Sequence, residues 1–191
     1  MVTWLDYLDR AKEYHGHLCS GQILGLRMVL KGLSLLSLDP EKPQRDLMLF
    51  IETNRCLADA AYVVTGITIG RRRLIMYNFG KAAMTFLDLN TRQAYRVAAT
   101  SHIKPAKDVT DLIGFWSQYA DEDIFLIQEV VVPLKPEDLP GRPQRRITCP
   151  ICGEDVLDGR DVNSKDGPIC RACAGEAYYK ALPLKRQIGP F

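Results

Sequence analysis

Apolar residues recur at helical spacing twice near the start of the chain. Trp4, Leu5, Leu8 and Ala11 predict a helix over 4–15, and Ile23, Leu24, Leu26, Met28, Val29, Leu30 and Leu33 predict a second over 18–36. Pro40 and Pro43 end the second helix, because proline cannot continue it and restricts the residue before it. The stretch from Leu47 to Glu52, apolar through Ile51, reads as a buried strand, and the alanine-rich stretch from Leu57 to Val64 as a helix closed by Thr65 and Gly66. Three β-rich runs follow at 73–78, 83–89 and 94–99, split by turn-forming segments around Gly80 and Asn90, and together they predict an antiparallel meander. Residues 108–119 and 121–128 read as helices and 129–132 as a last strand. The order is that of an α+β fold, with helices around a small mixed or antiparallel sheet.

The pattern breaks at Lys135 to Pro143, where three prolines and a glycine make a core-poor stretch. We expect a core domain over 1–134, a linker over 135–147 and a small cysteine-bearing module over 148–191. That module is too short and polar to bury a core of its own and needs a metal to fold.

With 47% hydrophobic and 25% charged residues, the larger part has ordinary globular composition, which argues against disorder. A net charge of +2 does not by itself imply a polyanionic partner. No apolar run reaches bilayer-spanning length, and the first residues lack a secretory pattern, so a cytoplasmic protein without a membrane partner is expected.

The six cysteines change the picture most. Cys149, Cys152, Cys170 and Cys173 form two C-x-x-C pairs with seventeen residues between them, a spacing that suits a four-thiolate structural zinc. A redox dithiol is the competing reading, but such motifs occur singly in a βαβ pattern that is absent here. Arginines and lysines flank the module, and interleaved acids dilute them. A solvated mixed surface therefore fits better than a nucleic-acid face.

His15, His17 and Cys19 fall within five residues, beside Gly16 and Gly21. They can converge if the segment is extended or begins a helix. Cys56 also stands at a predicted helix start, where the helix dipole favours thiolate. Imidazole and thiolate donors suit zinc or another late transition metal, and an incomplete ligand set would leave a catalytic position open. Equally, Cys19 and Cys56 can be small buried hydrophobes, with the histidines in ordinary hydrogen bonds. Gly21 and Gly25 permit close helix approach, within the chain or across a dimer seam.

The segment from His15 to Gly21, followed by Gly25 and Arg27, resembles the N-terminal signature of the FmdE family, which takes its name from the formylmethanofuran dehydrogenase operon. Cys56 to Ala60, Thr65 to Arg71 and Gly80-Lys81 resemble its second signature. The resemblance implies an α+β core, commonly a homodimer, often followed by a zinc ribbon. It also implies a metal held by His17, Cys19 and Cys56, with His15 as ligand or proton acceptor. Asp59, Thr65 and Lys81 would line the same cleft, Lys81 positioning an anionic substrate and Asp59 orienting a ligand histidine or simply capping the helix. Ser20 stands where the family usually has proline, Ile67 where it often has cysteine, and Arg71 where it has lysine. Three functions follow as expectations: metal-dependent chemistry on a small molecule, accessory work for a molybdenum or tungsten enzyme, or regulation through a ribbon bound to nucleic acid.

Overall fold

The computed structural model describes residues 2–182, in two compact units that divide between Leu134 and Lys135. The end of the expected cysteine-bearing module, 183–191, lies outside the described residues. In the first unit, a short 3-10 turn at Trp4–Tyr7 leads into α1 (Leu8–His15), then α2 (Ser20–Leu35), β1 (Leu47–Ile51) and α3 (Leu57–Thr65). After these come β2 (Leu74–Met76), β3 (Ala83–Asp88), β4 (Ala94–Ala99), α4 (Leu112–Ser117), α5 (Asp121–Ile124) and β5 (Phe125–Glu129). The five strands form one mixed sheet in the order β2-β1-β3-β4-β5, so the unit is α+β as the pattern indicates.

The apolar run of β1 has no alternation because both faces of the strand are covered. Leu47, Leu49 and Ile51 pack into the main core with α2 and α3, while Met48 and Phe50 belong to a second cluster with Leu87 and Ala94.

The meander expectation fails at its first strand. β2 does not pair with β3; it lies parallel to β1, with Leu49 opposite Leu74 and Ile51 opposite Met76. The reason is the intervening α3, which carries the chain back to the starting end of β1 and makes a parallel neighbour available. Residues 77–81 then wrap over the end of β1: Tyr77 N–H donates to Ile51 O, and Phe79 and Lys81 N–H both donate to Glu52 O. This delivers β3 to the opposite edge of β1, where it pairs antiparallel.

The predicted helix over 121–128 stops at Ile124, and residues 125–129 form the edge strand β5 in place of 129–132. The short apolar run at 124–127 suits either state, and the open edge of β4 decides, pairing Val97 with Ile127. The helix expected over 108–119 is shorter, starting where the Asp111 carboxylate accepts the Gly114 N–H at 2.8 Å.

α2 lies against α3 and the sheet with almost no space between them. A Cβ at Gly25 would sit 2.6 Å from Ala60 Cβ and 3.0 Å from Leu57 O, and one at Gly32 would meet the Phe86 ring at 2.4 Å. The glycine spacing thus serves intrachain packing. From the same helix, buried Arg27 donates to Trp116 O at 2.6 Å, Tyr119 O at 2.7 Å and Asp121 Oδ1 at 2.8 Å, which ties the α4–α5 region down. Arg96 grips Glu52 with two bonds of 2.6 and 2.8 Å and holds its carboxyl below the usual value.

The second unit consists of two antiparallel hairpins, β6 (Arg146–Thr148) with β7 (Asp155–Leu157), and β8 (Asp161–Ser164) with β9 (Gly167–Cys170). The stretch expected as a linker is drawn into it. Residues 136–138 form a 3-10 turn, Arg160 bonds Asp138 at 2.9 Å, and β6 starts at Arg146. Among the described residues no helix is long and apolar enough to cross a membrane.

Two outcomes test this architecture. Gly25→Ala should lower stability by about 1–3 kcal/mol in urea unfolding, and adding Ala60→Gly should recover part of it; an unchanged midpoint contradicts the close approach. Because Arg96 depresses the Glu52 pKa, their contribution is full above the ordinary glutamate value of 4.5 and fades as pH falls through the lower folded value. Glu52→Gln should therefore be less stable than wild type at neutral pH, and the gap should close in acid.

Candidate metal centre and its pocket

Gly16, with φ +88°, ends α1 by donating its N–H to Lys12 O at 2.8 Å, and the turn it makes keeps His15 and His17 together, ring centres 4.8 Å apart. Two residues later Cys19 is extended, at φ −140° and ψ 165°, as the N-cap of α2. That geometry resolves the spacing problem, since a continuous helix would have splayed these side chains. One donor atom each from His15, His17 and Cys19 lies within 4.8 Å of the others.

Cys56 reaches the same place from the N-cap of α3. The Cβ position at Gly21 is 3.7 Å from Cys19 Sγ and 3.8 Å from Cys56 Sγ, so the two thiols flank one glycine. Cys56 nonetheless stands outside the mutually close set of three. Burial pushes the Cys19 thiol pKa up, and the neighbouring Cys56 thiol adds to the shift. Buried Gln22 donates its Nε2 to Cys56 O at 2.9 Å and so pins the start of α3 to α2.

His15 Nδ1 donates to Asp59 Oδ2 across 2.7 Å, while His15 Nε2 is buried with no hydrogen-bond partner. A carboxylate on one ring nitrogen fixes the tautomer and leaves the other nitrogen as a lone-pair donor, the arrangement in which histidines bind metals. The donor set therefore fits a metal ion on the chemistry of the residues themselves.

Beside the cluster is a pocket of about 710 Å³, lined by His15, Cys56 and Asp59 together with residues from the ends of β1 and β2 and the loop after α3. Ile67, one of the departures from the family signature, is buried in its lining. Two residues expected in this cleft are elsewhere. The Thr65 hydroxyl donates to Ala61 O and accepts from Ile67 N–H, closing α3. Lys81 is exposed near Glu52 and is not among the lining residues. Arg55, which no motif singled out, is among them, as are Tyr14 and Tyr62, whose rings lie 4.8 Å apart. The only sequence signal for Arg55 was its place directly before Cys56.

In the second unit Cys149, Cys152, Cys170 and Cys173 also bring their sulfurs within 4.8 Å of one another, with Cys152 and Cys170 3.8 Å apart. The first knuckle is closed by Gly153, at φ +77°, donating to Cys149 O at 2.8 Å. Hydrogen bonds from the Cys170 and Cys152 backbone pull the Cys149 thiol down to about 6, whereas crowding by the Cys170 sulfur and burial push Cys173 up to about 12. Neighbouring thiols cannot all ionise without a cation between them.

Fold and sites together define a class: an α+β core with an imidazole–thiol cluster over a pocket, in one chain with a four-cysteine hairpin module. Comparison with known proteins agrees. The family described as "FmdE, Molybdenum formylmethanofuran dehydrogenase operon" matches residues 14–120, and the chain belongs to that family. A crystal structure of a tungsten formylmethanofuran dehydrogenase FmdE-like protein from Syntrophus aciditrophicus superposes with a TM-score of 0.58. It covers 94% of this chain and 96% of that one at 22% identity, which speaks for the shared fold. A protein of Archaeoglobus fulgidus called "Probable S-adenosyl-L-methionine-binding protein" is 28% identical over 90% of this chain. The chain spans about half of that relative's length, 53%.

Proposed function

We propose that this protein carries a structural zinc on Cys149, Cys152, Cys170 and Cys173, and a second metal ion, zinc or another late transition metal, on His15, His17 and Cys19. The second ion would serve chemistry on a small molecule held in the adjoining pocket. The observation that carries the reading is the His15 ring, bonded through Nδ1 to Asp59 at 2.7 Å with its Nε2 buried, unpartnered and close to His17 and Cys19.

A zinc–sulfur distance of about 2.3 Å gives a tetrahedron edge of about 3.8 Å, which matches the Cys152–Cys170 separation of 3.8 Å. Four thiolates close a site to water, and that suits a structural role. Three protein donors at the first site leave room for a water or a substrate oxygen, and a metal there would supply Lewis acidity. Asp59 orients His15, and Cys56 lines the pocket beside Cys19, within reach of a substrate. Arg55, which lines the pocket where Lys81 does not, would position an anionic group.

Elemental mass spectrometry on protein purified without added metal tests the reading. About two metals per chain are expected, falling to about one in a His17→Ala, Cys19→Ala double variant that keeps its ribbon metal. Asp59→Asn, which keeps all ligands, should weaken the first site by roughly 10–100-fold in competition with a chromophoric chelator. One metal per chain in both wild type and double variant would overturn the proposal and favour the accessory or regulatory functions.

A further inference from the structure

We infer that the pocket beside His15 and Cys56 binds a small organic molecule with an extended apolar body and one anionic oxygen group, the anion resting on Arg55. The inference deepens the proposed function and rests on it for where the ligand's reactive end lies. The ligand's chemistry is read from the pocket alone.

A volume of about 710 Å³ is within the range that takes a small organic ligand, roughly 300–1,000 Å³. The floor is apolar and closed, since Ile51 and Ile67 are each 1% exposed. Around the opening stand Tyr14, Tyr62, Ile69 and Met76, large apolar side chains between 39% and 61% exposed. Single exposed hydrophobes are ordinary, but four of them lining one cavity concentrate apolar surface in the way that marks a binding site. The apolar surface thus continues from floor to rim, and a purely polar ligand would leave it uncovered.

Charge defines the other end of the ligand. Among the described lining residues Arg55 is the one cation and Asp59 the one acid. Asp59 is committed to His15 at 2.7 Å. The Arg55 guanidinium is exposed and has no side-chain or backbone acceptor among the described residues. A planar guanidinium offers paired donors that fit a carboxylate, a sulfonate or a phosphate alike. The side of the pocket that carries Arg55 also carries the next residue, Cys56. A ligand anchored there therefore has its body on the apolar rim and a functional group facing the His15–Cys19 cluster.

The test uses three probes on the full-length, metal-loaded protein, followed by isothermal titration calorimetry and ligand-observed NMR: 4-phenylbutyrate, the matched alcohol 4-phenylbutan-1-ol, and acetate. The acid should bind about tenfold or more tightly than the alcohol, and acetate, with no apolar body, should not bind measurably. Arg55→Gln, at an exposed position and safe for folding, should erase the preference for the acid and leave alcohol binding in place. Ala58→Trp should fill the pocket and remove both, with circular dichroism confirming that it folds. Equal binding of acid and alcohol to wild type, an Arg55→Gln variant that still prefers the acid, or no binding of any probe to protein with its full metal content would overturn the inference. Acid-selective binding by protein whose elemental count shows only the ribbon metal would overturn the first metal site and leave this inference standing.

Discussion

The contact between α2 and α3 is the constraint on which the first unit depends. At Gly25 no side chain larger than hydrogen fits between the helices, because a Cβ would already be 2.6 Å from Ala60 and 3.0 Å from the Leu57 carbonyl. A helix pair held at that distance brings the start of α3 beside the start of α2. Cys56 and Asp59 then meet Cys19 and His15, residues about forty positions earlier in the chain. Gln22 adds a direct bond from one helix to the N-cap of the other. Were α3 displaced outward, Asp59 would leave His15, the free ring nitrogen would lose its orientation, and the two thiols would separate.

The sheet explains why a pocket lies at the same end of the molecule. β1, α3 and β2 make a parallel strand–helix–strand unit, and the cavity opens where β1 ends at Ile51, β2 ends at Met76 and Cys56 caps the start of α3. Binding beyond the carboxyl ends of parallel strands is a general outcome of this geometry, since the loops there are free to diverge. Glu52 secures that end: its carbonyl receives the chain as it crosses to β3, and its side chain is held by Arg96 from β4. A short parallel unit with the His15–Cys19 turn at its mouth is thereby built into a sheet that is otherwise antiparallel.

Much of this was legible in the residues. The helices α1, α2 and α3 have clear apolar periodicity, with glycine stops for α1 and α3 and prolines beyond the end of α2, and the spacing of the two C-x-x-C pairs implies convergence whatever the fold around them. The His15–Cys19 segment leaves two readings open, donors for a metal or buried small residues with ordinary hydrogen bonds, because spacing alone does not say whether three side chains at i, i+2 and i+4 converge. Pairing partners were not legible. Residues 73–78 carry strand propensity but nothing in them states which edge they join, and only the crossover through α3 decides for the parallel side of β1. The run at 124–127 satisfies helix and strand alike, so its fate rests on the unfilled edge of β4. Arg55, Tyr14 and Tyr62 were invisible for a related reason: they gain meaning from being gathered at one opening, which is a property of the packing and of no local pattern.

The two cysteine-bearing clusters differ in donors and in surroundings. Four converging sulfurs would leave a tetrahedral ion no vacant position, and among the described residues the small unit around them has only a minor apolar cluster of its own, with Ile169, Cys149 and Cys170 at its centre. The mixed imidazole–thiol set at the head of α2 is supported by a large core and opens onto a cavity, so any metal there is free to serve chemistry. Crystals of the native protein measured at the zinc absorption edge test this division most directly. An anomalous difference map should show one peak inside the four-cysteine module and a second within bonding distance of His15 Nε2, His17 and Cys19. A single peak in the module, with His15 Nε2 hydrogen-bonded to a protein group or a water, would contradict it.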